Sequence, residues 1–218
     1  ANTSTTLETL LSNNNIFTQC FEGASGPDCS GTTASSNVFF YNTSTESWDV
    51  ATDITQSVSS GTGILVYKYK NNNQTPAGPG FPSSITSYGS APTGDITPTI
   101  NPNADGFTLV GNPYGKTIDS DDFTFTDVNQ VVWVYDHAYN GPFEDGEDAD
   151  AASTAGGWRT WNGIGGSLTD GLLSTFQGFF VQTATSASNP SLTIPISSQR
   201  SDADADLYTV EESKSAFR

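Results

Sequence analysis

The sequence predicts an all-β protein, made of two diverged β-sandwich-like units packed together, with one or two short helical turns. Aromatic and β-branched residues gather in short runs although only 34% of the chain is hydrophobic. Stretches rich in Gly, Asn, Pro, Ser and Asp separate these runs, as turns separate strands. Similar runs occur twice along the 218 residues, a length that suits one large domain or two halves of about 100 residues each.

The first element expected along the chain is a short helix. Thr5 and Glu8 have the spacing of a capping box, and Leu7, Leu10 and Leu11 supply one apolar face. Because the apolar pattern is brief, we expect about one helical turn here.

The later elements are predicted to be strands, because β-prone residues cluster between turn-forming ones. The predicted strands cover residues 37–42, 64–69, 106–110, 131–135, 178–182 and 192–196. A second short helical signal covers residues 117–123.

The runs form two similar sets. Aligning Val38 with Val132 gives an offset of 94 residues (132 − 38). NVFFYN is followed by Trp48 and GTGILVYKY, whereas QVVWVYD is followed by Trp158, Trp161 and FQGFFVQ. Each set ends in a strand with proline, DITPTI and SLTIPI. We therefore predict one β unit in residues 1–100 and another in residues 101–200.

The first unit is expected to lack its opening strand. Residues 106–110 open the second unit, and nothing equivalent opens the first. An open sheet edge is a template for strand addition, so the strand would come from upstream residues or from a neighbouring molecule. Residues 207–210 (LYTV) are the candidate donor for a homo-oligomer or filament. Residues 201–218 are interpreted as an acidic linker and the start of a following strand.

The charge excludes two kinds of partner. The 24 acidic and 7 basic residues give a net charge of −17, which repels nucleic acid and anionic lipid. No apolar run approaches the roughly 20 residues that span a bilayer, so we expect no membrane insertion. Residues 1–25 lack the pattern of a signal peptide, and any export signal is expected outside this chain.

The two cysteines predict a disulfide. Cys20 and Cys29 are separated by a loop-forming stretch, and closing it would stabilise the fold by roughly 2–3 kcal/mol. Two free buried thiols are the alternative. The spacing is not CxxC, which argues against metal or redox chemistry. A disulfide in turn favours an oxidising, extracellular setting.

Two acidic or Asx-rich stretches are candidate calcium sites. Asn101, Asn103 and Asp105 followed by glycine resemble half of an oxygen-ligand loop, although an ordinary Asx-rich turn explains them as well. Residues 136–150 crowd carboxylates that repel one another unless a cation binds or the loop stays solvated. The candidate ligands in that stretch are Asp136, Glu144, Asp145 and Asp148.

Other patterns carry little catalytic information. GNPYGKT imitates a phosphate-binding loop but is one residue too short, and Pro113 removes an amide, so a turn with Lys116 in solvent is expected. His137 is the single histidine, beside no recognisable nucleophile motif.

Aromatic side chains are the candidate ligand-binding residues. Trp158 and Trp161 are three positions apart, so on one strand their side chains point to opposite faces of the sheet. One of the two is therefore expected to be exposed. A sugar ring could stack there, and Tyr139 is included in this candidate set.

The stretches GFTLVGNPYGKTIDSDDF, VVWVYD, WRTWNG, FQGFFVQ and NPSLTI resemble the repeated β region of large Bacteroidetes proteins exported by the type IX secretion system. TLETLL, IFTQCFEGA, SNVFFYN and GTGILVY resemble the segment that precedes it. The resemblance implies secretion or cell-surface display upstream of a C-terminal sorting domain, and it transfers no catalytic residues. Gly115 follows Tyr114 where such regions often have proline.

The function expected from the sequence is that of a non-catalytic extracellular structural or adhesive surface module. It would contact other modules of the same polypeptide and associate with copies of itself through open sheet edges. The alternative is a carbohydrate-binding accessory module of a secreted polysaccharide-degrading enzyme, with a glycan as partner and calcium as the only expected cofactor.

Overall fold

A computed structural model describes residues 5–12, 14, 38–53, 55–66, 85, 90–136 and 156–201. Within these residues the chain is mostly strand, in several antiparallel sheets, which confirms the all-β prediction. The one α-helix in this part of the chain is α1 (Leu7–Ser12). The strands are β1 (Thr5–Thr6), β2 (Val38–Asn42), β3 (Ser47–Val50), β4 (Ser57–Val58), β5 (Ile64–Val66), β6 (Phe107–Gly111), β7 (Thr117–Asp119), β8 (Thr124–Thr126), β9 (Val132–Asp136), β10 (Gly157–Trp161), β11 (Leu172–Leu173), β12 (Gly178–Gln182), β13 (Ser191–Thr193) and β14 (Gln199–Arg200).

Two sheets carry most of the structure. The larger has the strand order β10, β9, β12, β6, and the second has the order β3, β2, β5. Three smaller sheets pair β1 with β4, β13 with β8, and β7 with both β11 and β14. Every pairing between these strands is antiparallel.

The two similar sets of runs share one strand arrangement. Hairpin β2–β3 with its neighbour β5 has the same order as hairpin β9–β10 with its neighbour β12. Likewise, β1 pairs with β4 as β7 pairs with β11. Strand β6 adds a fourth member beside β12, and the described residues of the first set contain no equivalent beside β5. Instead, Thr62 forms a single antiparallel bridge with Val110 of β6.

The buried side chains form two hydrophobic cores. The smaller core contains Leu7, Leu11, Val38 and Ala51. The larger core lies beneath the four-stranded sheet and includes Val110, Ile118 and Phe179. Ile96 also belongs to the larger core and exchanges two backbone hydrogen bonds with Ile194, at 2.8 and 3.0 Å. The DITPTI stretch of the first set is not a strand, but through the Ile96–Ile194 bridge it packs against the SLTIPI stretch of the second.

Helix α1 occurs where the leucine pattern predicts it. Leu7 and Leu11 are buried, because residues four apart lie on one helix face. Thr6 supplies a side-chain cap, since its Oγ1 accepts the Thr9 N–H at 3.2 Å. The Leu7 N–H donates to the carbonyl of Gln56 at 3.0 Å, which holds the helix against the chain before β4.

The prediction of a short helix at residues 117–123 is wrong over its first half. Strand β7 occupies Thr117–Asp119, and only Ser120–Asp122 forms a 3-10 turn. Ile118 is buried between two half-buried residues, which is the alternation of a strand. Because β7 hydrogen-bonds to β11 on one edge and β14 on the other, pairing outweighs the local helical pattern.

The last predicted strand is shorter than expected. It ends at Thr193, and Ile196–Ser198 forms a 3-10 turn. Pro195 has no N–H to continue a sheet. The N–H of Ile196 instead donates to the Asp95 carboxylate at 2.9 Å, which turns the chain away from β8.

Candidate functional site: an exposed aromatic face

The four-stranded sheet buries one face and leaves the other partly open. Successive side chains of a strand point to opposite faces. The buried members on β9 and β12 are Val132, Val134, Phe179 and Val181. The alternate positions carry Trp133 and Tyr135 on β9 and Phe180 on β12, which are partly or largely exposed. The open side of this sheet is therefore rich in aromatic rings.

Aromatic side chains from both sheets join into one connected cluster, which we call the aromatic face. Its members among the described residues are Tyr41, Trp48, Phe107, Trp133, Tyr135, Trp158 and Phe180. Phe180 is central, with ring centroids 4.9 Å from Tyr41, 5.5 Å from Trp158 and 6.2 Å from Trp48. These contacts are edge-to-face, the arrangement that the charge distribution of aromatic rings favours.

Each of the two hairpins contributes one Tyr–Trp pair. On β2–β3, Tyr41 lies opposite Trp48, and on β9–β10, Tyr135 lies opposite Trp158. The ring centroids are 5.4 Å apart in both pairs, with interplanar angles of 74° and 70°. The hairpins therefore present the same ring arrangement to the aromatic face.

The outer rings of the aromatic face are open to solvent. Trp48 is 41% exposed, Trp158 is 49% exposed and Tyr135 is 53% exposed. Tyr41 lies deeper, and burial, with a smaller contribution from Glu46, raises the pKa of its phenol. Because large apolar side chains that cluster at a surface commonly mark a contact site, the aromatic face is the candidate functional site.

Hydrogen bonds fix the β2–β3 hairpin over the larger sheet. The Glu46 carboxylate accepts the Phe107 N–H at 3.0 Å. On the same turn, the Thr43 carbonyl accepts a hydrogen bond from the Asn101 side-chain amide at 2.7 Å. These two bonds connect the hairpin turn to β6 and to the residues before it, and thereby hold the Tyr41–Trp48 pair beside Phe180.

The prediction that Trp158 and Trp161 point to opposite faces of one strand is confirmed. Trp158 is about half exposed on the aromatic face. Trp161 packs against the larger core, and its indole N–H donates to Asp121 at 2.7 Å. Trp161 is therefore on the opposite side of the sheet, and Tyr139 lies outside the described residues.

Sequence reasoning did not single out Tyr41, Trp48, Tyr135 or Phe180 as binding residues. The repeat contained a usable signal, because the offset that aligns Val38 with Val132 also aligns Tyr41 with Tyr135. No local signal identifies Phe180, whose contacts reach residues more than a hundred positions away in the chain.

The first candidate calcium loop forms an Asx turn. Asn101 is 1% exposed, and its side-chain oxygen accepts the Asn103 N–H at 3.0 Å. Asp105 has a positive φ of 60°, and its carboxylate accepts the Thr185 hydroxyl at 2.7 Å. These groups have hydrogen-bond partners within the protein, and calcium binding here stays a prediction.

The second candidate calcium stretch is described only at its first residue. Asp136 is buried and forms an ion pair with Arg159, with Nε and Oδ2 2.8 Å apart. Glu144, Asp145 and Asp148 lie outside the described residues, as do His137, Cys20 and Cys29. Within the ranges that are described, no group of three or more His, Cys, Asp or Glu side chains is placed to hold a metal ion. The disulfide and this calcium site also stay predictions.

The fold places the chain in the class of all-β proteins with a β-sandwich-like character. Comparison with protein-family models, curated proteins and solved structures gives no match. In the described part of the chain, no helix has the length and apolar character needed to cross a membrane.

Proposed function

We propose that this chain is a non-catalytic extracellular adhesive module that binds an uncharged glycan on its aromatic face. The observation that carries the proposal is the exposure of Trp158, Tyr135 and Trp48 on one side of the molecule. Their rings supply flat apolar contact area at a low cost in conformational entropy, which suits binding. The extracellular setting rests on the predicted Cys20–Cys29 bridge and on the resemblance to exported surface proteins.

The ligand class follows from the chemistry of the rings and from the charge of the chain. A pyranose ring offers an apolar C–H face that packs on an aromatic ring, while its hydroxyls remain hydrated. The net charge of −17 repels anionic ligands, including nucleic acid and acidic polysaccharides. An uncharged glycan satisfies both conditions.

The first prediction tests glycan binding through Trp158. In native gels that contain hydroxyethylcellulose, the wild-type protein should migrate more slowly than in gels without it. Trp158→Ala should remove this retardation, because it deletes an exposed ring of the aromatic face. Ile164→Ala is the matched control, since Ile164 is 92% exposed and is not a member of the aromatic face, and it should behave as wild type.

Equal migration of the wild-type protein with and without the polysaccharide would contradict the proposed function. So would retardation that persists unchanged in Trp158→Ala. A thermal melt of each variant separates lost binding from lost folding, and we expect little change because Trp158 is half exposed.

Self-association through a sheet edge is the second candidate function. In the described structure, β3 pairs with β2 on one edge only, and all four residues Ser47–Val50 are exposed. Trp48 and Val50 bring exposed apolar surface to this edge, and Val50 is 43% exposed. An unpaired edge of this kind can accept a strand from another copy of the chain.

A further inference from the structure

The turn after β10 carries an asparagine whose side-chain amide is polarised by the backbone. Asn162 is exposed, and its Oδ1 accepts the N–H of Ile164 at 3.0 Å and the N–H of Gly165 at 2.9 Å. Hydrogen bonds to a carbonyl oxygen stabilise the negative charge that develops on it when a nucleophile attacks the carbon. The Cγ atom of Asn162 is therefore activated towards attack.

The backbone nitrogen of Gly163 is the neighbouring nucleophile. Its attack on Cγ closes a succinimide ring, and groups held in one molecule react far faster than separate ones. Glycine has no Cβ to crowd the ring as it forms. In the described part of the chain, no hydrogen bond occupies the Gly163 N–H, so none has to break before the attack.

The turn requires the glycine but does not require the asparagine. Gly163 has a φ of 81°, a left-handed conformation that favours glycine. Aspartate can form the same type of turn, because the Asp119 carboxylate accepts the Asp121 N–H at 3.0 Å. Turn geometry therefore explains Gly163, whereas the reactive amide of Asn162 is an additional feature of this turn.

We infer that Asn162 is a site of spontaneous deamidation in the folded protein. The Gly163 nitrogen bonds to Cγ, the Cγ–Nδ2 bond breaks, and Nδ2 leaves as ammonia with the proton that the Gly163 nitrogen loses. One water molecule then opens the succinimide ring. Cleavage at Cγ gives aspartate, and cleavage at the main-chain carbonyl carbon of residue 162 gives isoaspartate.

The two products have different effects on the turn. Aspartate keeps a side-chain oxygen that accepts the Ile164 and Gly165 N–H groups, so the turn remains. Isoaspartate adds a methylene to the main chain within the turn that the bond from the Asn162 N–H to the Gly165 carbonyl closes at 3.3 Å. Gly166, the next residue, bridges Trp161 of β10. Isoaspartate should therefore loosen the packing of the turn against β10.

The chain contains a matched asparagine with a different neighbour. The Oδ1 atom of Asn42 accepts the N–H of Ser44 at 2.9 Å and the N–H of Thr45 at 3.3 Å, which is the pattern seen at Asn162. Thr43 follows Asn42, and its β-branched side chain crowds the approach of its nitrogen to Cγ. Comparison of the two sites isolates the contribution of the glycine.

The second prediction is that Asn162 converts to aspartate and isoaspartate when the full chain is incubated in mildly alkaline buffer, whereas Asn42 stays intact. Trypsin releases residues 160–200 as one peptide, and mass spectrometry with electron-transfer fragmentation measures both products in it. Its other asparagine, Asn189, precedes proline, whose nitrogen has no proton to lose. Asn140 also precedes glycine, but it lies outside the described residues and falls in a separate peptide.

Two variants separate the reaction from its effect on the fold. Gly163→Ala should lose most of the conversion at Asn162, because the added methyl group crowds the nitrogen. Asn162→Asp should melt like freshly purified wild type, whereas wild type that has accumulated isoaspartate should melt at a lower temperature. Asn162→Asp thus controls for the added negative charge and leaves the longer backbone as the cause of the difference.

A synthetic peptide of residues 158–168 tests the contribution of the folded turn. It has the same sequence without the fixed hydrogen bonds to Oδ1, so it should convert no faster than the folded chain. Faster conversion in the peptide would overturn the inference, as would equal conversion at Asn42 and Asn162. An unchanged melting temperature in the isoaspartate form would overturn the predicted loosening against β10. Glycan binding does not enter any of these measurements, so the native gels test the proposed function separately.

Discussion

At the scale of single residues, Tyr114 joins the two proline-containing stretches near Ile96 and Ile194. Its hydroxyl lies 2.9 Å from the Ile194 carbonyl and 3.1 Å from the Gly94 carbonyl, and the ring is buried. Its N–H donates to the Asn112 side chain at 2.9 Å. The GNPYGKT stretch is therefore a structural turn, and Lys116 is exposed as expected.

The third prediction is a loss of stability at alkaline pH that depends on Tyr114. Burial, with a smaller contribution from Asp95, raises the pKa of Tyr114 to about 12. In the unfolded chain the phenol ionises near pH 10. The stabilisation from Tyr114 is therefore fully present below about pH 10 and declines as the pH rises towards 12, because only the unfolded state releases the proton.

Denaturant unfolding at about pH 9 and about pH 11 measures this loss, with Tyr114→Phe for comparison. The variant should be less stable at about pH 9 by roughly 1–3 kcal/mol, because the buried hydrogen bond to the Ile194 carbonyl is lost. Its further loss at the higher pH should be smaller than that of wild type. Equal alkaline losses in the two proteins would show that Tyr114 does not hold its proton in the folded state.

At the scale of elements, the turn after β10 folds back onto that strand. Gly166 bridges Trp161, and the Leu168 N–H donates to the Thr160 carbonyl at 3.0 Å. The Ser167 hydroxyl accepts the Thr160 N–H, also at 3.0 Å. This turn covers part of the outer edge of the larger sheet and holds β10, the strand that carries Trp158, in place.

The fourth prediction is that Gly166→Ala destabilises the protein and Gly165→Ala does not. A Cβ at Gly166 would lie 1.9 Å from the Thr160 carbonyl oxygen, so the backbone of the turn or of β10 must shift. We expect a loss of about 1–3 kcal/mol in the free energy of unfolding, the usual size for steric overpacking.

Gly165 is the adjacent control because a Cβ there meets nothing within 4 Å. Thermal or denaturant unfolding of both variants gives the comparison. A Gly166→Ala protein as stable as Gly165→Ala would mean that the turn after β10 packs less closely against that strand than the structure describes.

At the scale of the whole molecule, charge opposes the apolar surfaces that could join copies of the chain. The net charge of −17 repels a second copy, whereas the exposed edge β3 offers Trp48 and Val50 for pairing. Salt screens charge repulsion over about 10 Å at 0.1 M and leaves apolar contacts intact. Association should therefore depend on ionic strength.

The fifth prediction is that the protein is monomeric at low salt and forms larger species as salt and protein concentration rise. Val50→Lys should keep it monomeric, because a charge on an edge strand opposes pairing. Ile164→Lys makes the same chemical change at a residue outside β3 and should associate like wild type. Sedimentation velocity distinguishes these cases, and a wild-type protein that stays monomeric at every salt concentration would exclude self-association through β3.

Much of the local structure could be predicted from the sequence. The β-prone runs beginning near Val38, Val132 and Gly178 form strands close to their expected bounds. The exposed position of Trp158 relative to Trp161 follows from the two-residue period of a strand. Both predictions concern residues that are close together in the sequence. The backbone of a single strand fixes the relative orientation of such residues. The resemblance to exported surface proteins concerns origin and setting, and it stays a prediction.

Tertiary structure decided the features that depend on which surfaces meet. It converted residues 117–119 into a central strand, since hydrogen bonds on both edges outweigh a short helical pattern. It packed Ile96 into the larger core and brought Tyr41 and Trp48 against Phe180. Local sequence was enough to predict several of the strands and which side chains share a strand face. The aromatic face required the whole fold, because contacts between residues far apart in the chain follow from the packing of the complete molecule rather than from any local pattern.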